Sequence, residues 1–434
     1  MNKGASIYKK KNKLILGGNM ILSKNPEMIL PDYWPTYYSK SKGTHVWSLD
    51  NIKYLDMMCY VGQNTLGYSN SFIDRKVIDT IQKGNMTSLN SYNEIILSEK
   101  LIKLHPWADM AKFARSGGEA NAMAIRIARA ATQKEHVAVC GYHGWHDWYL
   151  SVNLKNKNNL NEHLLPGLEP HGVPKSLKNT SHPFKYGDIK KLISISNKYD
   201  LAAIKMEVGR NSLPDENFLN EVRDLADKKK IVLIFDECTS GFRRCAGGLH
   251  LKTNVTPDLA MFGKALGNGY AITAVIGKSK IMSKAKKSFI SSTFWSEGIG
   301  FVAGISTINF FKKKKVWKNL INSGKYVNQK WLNLSQKYEL PITISGIESI
   351  TQFNFKLKNN NNYKTFITQE LLKKKILATN LIFLNIFHTT KIIDRYISEL
   401  DKIFYKIKIF EEKKIKKSFL KGRQAQKIFG RLTD

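Results

Sequence analysis

From about Phe72 to Ile308 the chain alternates helix-length stretches with short, densely apolar runs, and this alternation restricts its fold more than any other feature. The runs are VAVC (137–140), LAAIKME (201–207), IVLIF (231–235), LAMFG (259–263) and AITAVIG (271–277). Each is strand-sized, and apolar residues at consecutive rather than alternate positions call for burial on both faces. Separated by helix-length segments, they predict buried parallel strands in an α/β domain with helices over the sheet. The ends of the chain read differently. About 75 N-terminal residues carry irregular structure and short strands, with THVWSLDNIKYLDM predicting a hairpin around Asp50-Asn51. Beyond about residue 310 the chain is helix-rich and lysine-heavy, with helical spacing in KTFITQELLKKKI and IIDRYISELDKIFYKI.

Charge and cysteine usage narrow the function classes. There are 69 Lys+Arg against 35 Asp+Glu, a formal charge of +34, a balance that attracts nucleic acid or anionic lipid in some proteins. Here the excess lies in solvated stretches such as KNKNNL and EEKKIKK, without aromatic interleaving or a nucleic-acid motif, so nucleic acid is not the expected partner. No run of about 18 apolar residues appears, so no membrane span is expected. Cys59, Cys140, Cys238 and Cys245 are widely spaced, and the N-terminus lacks a secretory h-region; both point to reduced thiols in a cytoplasmic protein. The polar, Pro/Gly-punctuated segment 153–182 reads as a lid or a disordered insertion, and its position after a candidate site segment favours the lid.

Four segments carry chemistry, each where an α/β sheet places ligands: past a strand end or at a helix start. Ser116, Gly117 and Gly118 open an alanine-rich helix, offering unpaired N–H groups for a phosphate; the alternative is a glycine-containing N-cap with no ligand. Tyr142 and His143 follow VAVC, where an aromatic side chain stacks on a flat ring; His143 and His146 at His-x-x-His spacing leave packing or a metal as alternatives, though no third ligand is apparent. IVLIF ends in Asp236-Glu237, and a carboxylate there can pair with a pyridinium nitrogen, bind magnesium or cap a helix. Lys264, between LAMFG and a glycine-rich loop, has the partly desolvated setting that makes an amine nucleophilic. An acid, a later lysine, an aromatic and a phosphate cradle together form the set that holds pyridoxal 5′-phosphate (PLP), and no metal is called for.

In RSGGEANAMAIRIARA, GYHGWHDWY, LIFDECTSGFR, TPDLAMFGKALGNGY and SSTFWSEGIG the chain resembles the class III aminotransferases of PLP fold type I, in their glutamate-1-semialdehyde aminomutase-like branch. The resemblance runs from about Leu14 onward and weakens after about Phe310. It implies a large domain (76–309) with a mostly parallel seven-stranded sheet, and a small α+β domain from residues 1–75 and 310–434. It further implies that Lys264 carries PLP and then moves the proton between substrate Cα and cofactor C4′. Asp236 holds the pyridine nitrogen, Tyr142 stacks on the ring with His143 beside it, and Gly117 and Gly118 cradle the phosphate. Glu207 matches an acidic position near the ring hydroxyl, although valine follows it where proline is usual. Thr293 reaches the phosphate of a neighbouring subunit, which makes the enzyme a homodimer.

The expected activity is transfer of an amino group from a small-molecule donor such as glutamate to a carbonyl acceptor. Gly118 in place of a threonine, and SSTFWSE in place of the aminomutase's usual stretch, resemble a sub-branch associated with surface-polysaccharide or amino-sugar synthesis. An intramolecular aminomutase using the same residues is the second reading, and a non-catalytic polyanion-binding relative the third.

Overall fold

In the computed structural model, described for residues 2–163, 167–209, 211–413 and 419–426, residues 71–317 form one unit and residues 1–70 with 318–434 the other. The first unit is built on a seven-stranded sheet: β1 (Met110–Ala114), β2 (His136–Cys140), β3 (Ser181–Pro183), β4 (Leu201–Glu207), β5 (Val232–Asp236), β6 (Leu259–Phe262) and β7 (Thr273–Gly277). Their order across the sheet is β1-β7-β6-β5-β4-β2-β3. The apolar runs picked out by composition supply five of these strands, and β4, β5, β6 and β7 are buried along almost their whole length.

Four neighbouring pairs (β2–β3, β2–β4, β4–β5 and β5–β6) are parallel. β7 departs from the expected direction: it runs antiparallel to both β6 and β1. Only residues 263–272 link β6 to β7, and they hold a single 3₁₀ turn at Lys264–Leu266. A parallel return needs a crossover of a dozen or more residues, usually helical, so the chain turns back instead. Two strands escaped the composition pattern: β1, which reads MAKFA, and β3, which is three residues long and begins inside the 153–182 segment.

Helix α1 (Gly117–Thr132) lies over one sheet face, where Ala120, Ala124, Ile127 and Ala128 meet Val137, Val139, Ala203, Ile234 and Met261. Its small residues let helix and sheet approach closely. Ser116 caps it with a full capping box, and Gln133 ends it in the left-handed conformation.

In the second unit the predicted hairpin forms, with His45–Ser48 antiparallel to Lys53–Asp56 and Asn51 at φ 56° in the turn. Tyr38–Lys42 and Ile376–Leu377 complete its sheet. Ile342–Ile347, Ile350–Phe355 and Leu381–Phe383 form a separate antiparallel sheet, whose Phe353 and Phe355 pack on Phe404 of the helix Thr390–Glu412. That helix and Asn360–Lys373 are the two that the helical spacing predicts.

Candidate active site

Asp236 ends β5 with its carboxylate buried, and three groups converge on it. His143 Nδ1 lies 2.8 Å from Oδ2, the Cys238 N–H donates to Oδ1 at 3.1 Å, and the Lys205 ammonium lies 3.7 Å from Oδ2. Burial alone would raise the carboxyl's pKa, but Lys205, His143 and the Cys238 N–H together hold it well below the usual carboxylate range. His143 is fully buried, stacked on Trp148 and edge-on to Tyr149, and its Nε2 donates to the Cys140 carbonyl at 3.1 Å. The adjacent acid has a different fate. Glu237 accepts from the backbone N–H of His250 at 2.9 Å, and its carboxylate also meets the His250 ring and Ser240. Strand alternation sends these two neighbours to opposite sides.

Lys264 follows β6 and Gly263, half-buried, at φ 42°. A left-handed lysine backbone costs roughly 1–2 kcal/mol and persists only where its surroundings demand it. Its Nζ donates to Thr239 Oγ1 at 2.7 Å, so the amine sits over the turn that begins at Asp236.

The start of α1 has the features that could hold an anion. Ser116 Oγ accepts from the Glu119 N–H, the Ser116 carbonyl accepts from the Ala120 N–H, and Glu119 Oε2 accepts from the Ser116 N–H at 2.7 Å. The cap therefore leaves the first-turn N–H groups of Gly117 and Gly118 to an anion at the positive end of the helix dipole. Gly118 is also needed for packing: a Cβ there would come within 2.9 Å of the His146 ring, which lies over it.

Gly141-Tyr142 forms the turn after β2. At φ 105°, a Cβ on Gly141 would fall 2.5 Å from Glu207 Oε2, so glycine alone suits both backbone and space. Glu207 accepts the Tyr142 N–H at 3.1 Å, and the Gly141 N–H donates to His163 Nδ1 at 3.0 Å. Burial, with His143 nearby, lowers His163 to about 4, which keeps Nδ1 available as an acceptor. Tyr142 is half-buried and edge-on to Tyr149 at 6.2 Å. Part of the 153–182 segment is thus tied to this turn through His163, while residues 164–166 of it lie outside the described residues.

Thr293 is exposed, at the start of a 3₁₀ turn, and the residues after it are fastened to the α1 start. Arg115 donates to the carbonyls of Phe294, Trp295 and Glu297, and Trp295 Nε1 donates to Glu119. Asp236, His143, Lys264 and the 116–118 turn are therefore linked through one run of neighbours, with Cys238 3.9 Å from a Cβ position on Gly117. An anion cradle, an amine, a buried carboxylate and an aromatic turn suit a flat, phosphate-bearing heteroaromatic cofactor with a basic ring nitrogen. Thr239 was expected only as part of a tight turn into the site, and His163 and Lys205 were given no role. His163 was an unremarkable polar residue, but Lys205 carried a signal, being a lysine inside the apolar run LAAIKME.

The family model for class-III aminotransferases matches residues 31–400. The 3-aminobutyryl-CoA aminotransferase of Cloacimonas acidaminovorans is 32% identical over 404 residues, covering 91% of this chain and 92% of that protein. A glutamate-1-semialdehyde 2,1-aminomutase of Sulfolobus acidocaldarius is 31% identical over 341 residues, 76% of this chain and 80% of that one. Among solved structures, the PLP internal aldimine form of Sphingopyxis sp. MTA144 FumI superposes with a TM-score of 0.85 at 22% identity, covering 95% of this chain and 98% of that chain.

Proposed function

We propose, for a chain that belongs to the class-III aminotransferases and is therefore a PLP-dependent enzyme, that it moves an amino group from a small-molecule donor such as glutamate to a carbonyl acceptor. The observation that carries this reading is the buried, ionised Asp236 beside a turn that also holds the Lys264 amine through Thr239. When bound, PLP supplies an electron sink for charge developing at the substrate carbon. Lys264 binds the cofactor and then carries the proton between substrate Cα and cofactor C4′. Asp236 accepts the ring N–H and keeps it protonated, Tyr142 covers the ring face, and the Gly117 and Gly118 N–H groups hold the phosphate. Glu207, through the Tyr142 N–H, fixes the turn that presents the aromatic ring.

The site is completed by a second copy of the chain, with Thr293 reaching the neighbour's phosphate. Exposed apolar side chains in the unit that contains Thr293 support this. Leu89 is 82% exposed, Tyr92 71% and Phe294 68%, and Ile78, Ile81 and Ile95 are exposed as well. Among the described residues no helix is long and apolar enough to cross a membrane. We place the enzyme in the cytoplasm on its free thiols, three of them buried.

The test is a purified, PLP-loaded protein with a visible imine band that borohydride abolishes and that Lys264→Ala lacks. A colourless protein that takes up no PLP would overturn the cofactor roles. Glutamate should then discharge the band, and a panel of keto acids, aldehydes and keto sugars should restore it. Isomerised product from glutamate 1-semialdehyde, with no second substrate, would instead establish the aminomutase reading, which the Sulfolobus relative favours.

A further inference from the structure

Strand β4 places a lysine on a sheet face that is mostly apolar. Ala203, Lys205 and Glu207 share one face of the strand, in register with Val232, Ile234 and Asp236 of β5, while Val139 of β2 pairs with Lys205 from the other side. Met261 of β6 is in register with Asp236. That face is covered by Ala120, Ala124, Ile127 and Ala128 of α1, and Lys205 is fully buried within it. Its ammonium meets the Met261 sulfur at 2.8 Å and Asp236 Oδ2 at 3.7 Å. A thioether is a weak acceptor, so the charge on Lys205 is balanced by Asp236.

The same carboxylate oxygen already faces His143, and the other titratable groups around Lys205 are Cys238 and Glu207, with Lys264 beyond Cys238. We propose that Lys205 is a positioning residue that shares the Asp236 charge, so that the cofactor's ring nitrogen gives up its proton more readily than it would opposite an unshared carboxylate. This rests on the reading that Asp236 faces the ring nitrogen. A cation close to a carboxylate lowers the carboxylate's hold on a second cation, and a neighbouring charge at this range shifts a titration by about 1–3 pH units. The enzyme thereby tunes its electron sink with a residue that touches neither cofactor nor substrate.

The experiment is a pH titration of holoenzyme carrying PLP labelled with ¹⁵N in the ring, followed by NMR, for wild type and Lys205→Met. Methionine keeps the volume and removes the charge. The ring-nitrogen midpoint is expected to rise by about one unit or more, a gain of about tenfold in proton affinity. Coincident midpoints in folded, PLP-bound Lys205→Met overturn the proposal while leaving the cofactor reading intact. Failure of both proteins to take up PLP overturns that reading instead. If the Met variant does not fold, Lys205→Gln takes its place.

Discussion

Asp236→Asn removes one charge and almost no volume, so its cost isolates what the carboxylate does for the fold. Lys205 is left buried with no counter-charge within ion-pair distance among the described residues, and the His143 contact loses its charge assistance. At 3.7 Å and an effective dielectric of about 20, the lost attraction is about 4.5 kcal/mol. Breaking a buried pair by removing one partner characteristically costs about 3–5 kcal/mol, in agreement. The assay is urea denaturation of the cofactor-free protein, for Asp236→Asn, Lys205→Met and the double variant. We expect Asp236→Asn to lose about 3–5 kcal/mol and the double variant to recover much of it, because no buried charge is then stranded. The pH dependence has a definite sign. Burial lowers the folded pKa of Lys205 below its ordinary value, Asp236 opposes that shift, and removing Asp236 deepens it. The unfolded chain then holds more protons, so the stability of Asp236→Asn should rise with pH, more steeply than wild type, up to the ordinary lysine range. A loss below about 1 kcal/mol with additive variants would show that Lys205 is not a charged partner of Asp236.

Gly141→Ala should cost about 1–3 kcal/mol and weaken PLP binding, since its Cβ would meet the Glu207 carboxylate at 2.5 Å on a backbone at φ 105°; denaturation and a PLP titration read both effects. Ser116→Ala removes half of a capping box and should lose about 0.5–2 kcal/mol, with slower PLP uptake because the cradle frays. Asp236, Glu237 and Asp258 are all buried and yet held below the usual carboxylate range by their partners. Their contribution is therefore complete above about pH 4 and lost as pH falls through the lower folded values, which far-UV circular dichroism during acid titration should follow. Leu89→Lys should yield monomers in light scattering, and those monomers should hold PLP more weakly; a dimer unchanged by this substitution would place the interface elsewhere.

Much of this protein was legible in the chain alone, because burial leaves a local mark. Five strands announced themselves as apolar runs, the Asp50-Asn51 turn as a polar break between β-rich segments, and the α1 start as Ser-Gly-Gly-Glu before an alanine-rich helix. The polar residues just past those runs were the candidate site, since a strand end is where side chains leave the core. What tertiary structure decided were relations between distant segments. β7 runs antiparallel because its ten-residue connection cannot cross the sheet. Gly118 serves packing under His146, a contact that needs two turns brought together. Lys205 was visible as a charge inside an apolar run, but its partner lies 31 residues onward, and only the β4–β5 register places Asp236 beside it. Composition could report that a charge is buried; the sheet determined which opposite charge answers it.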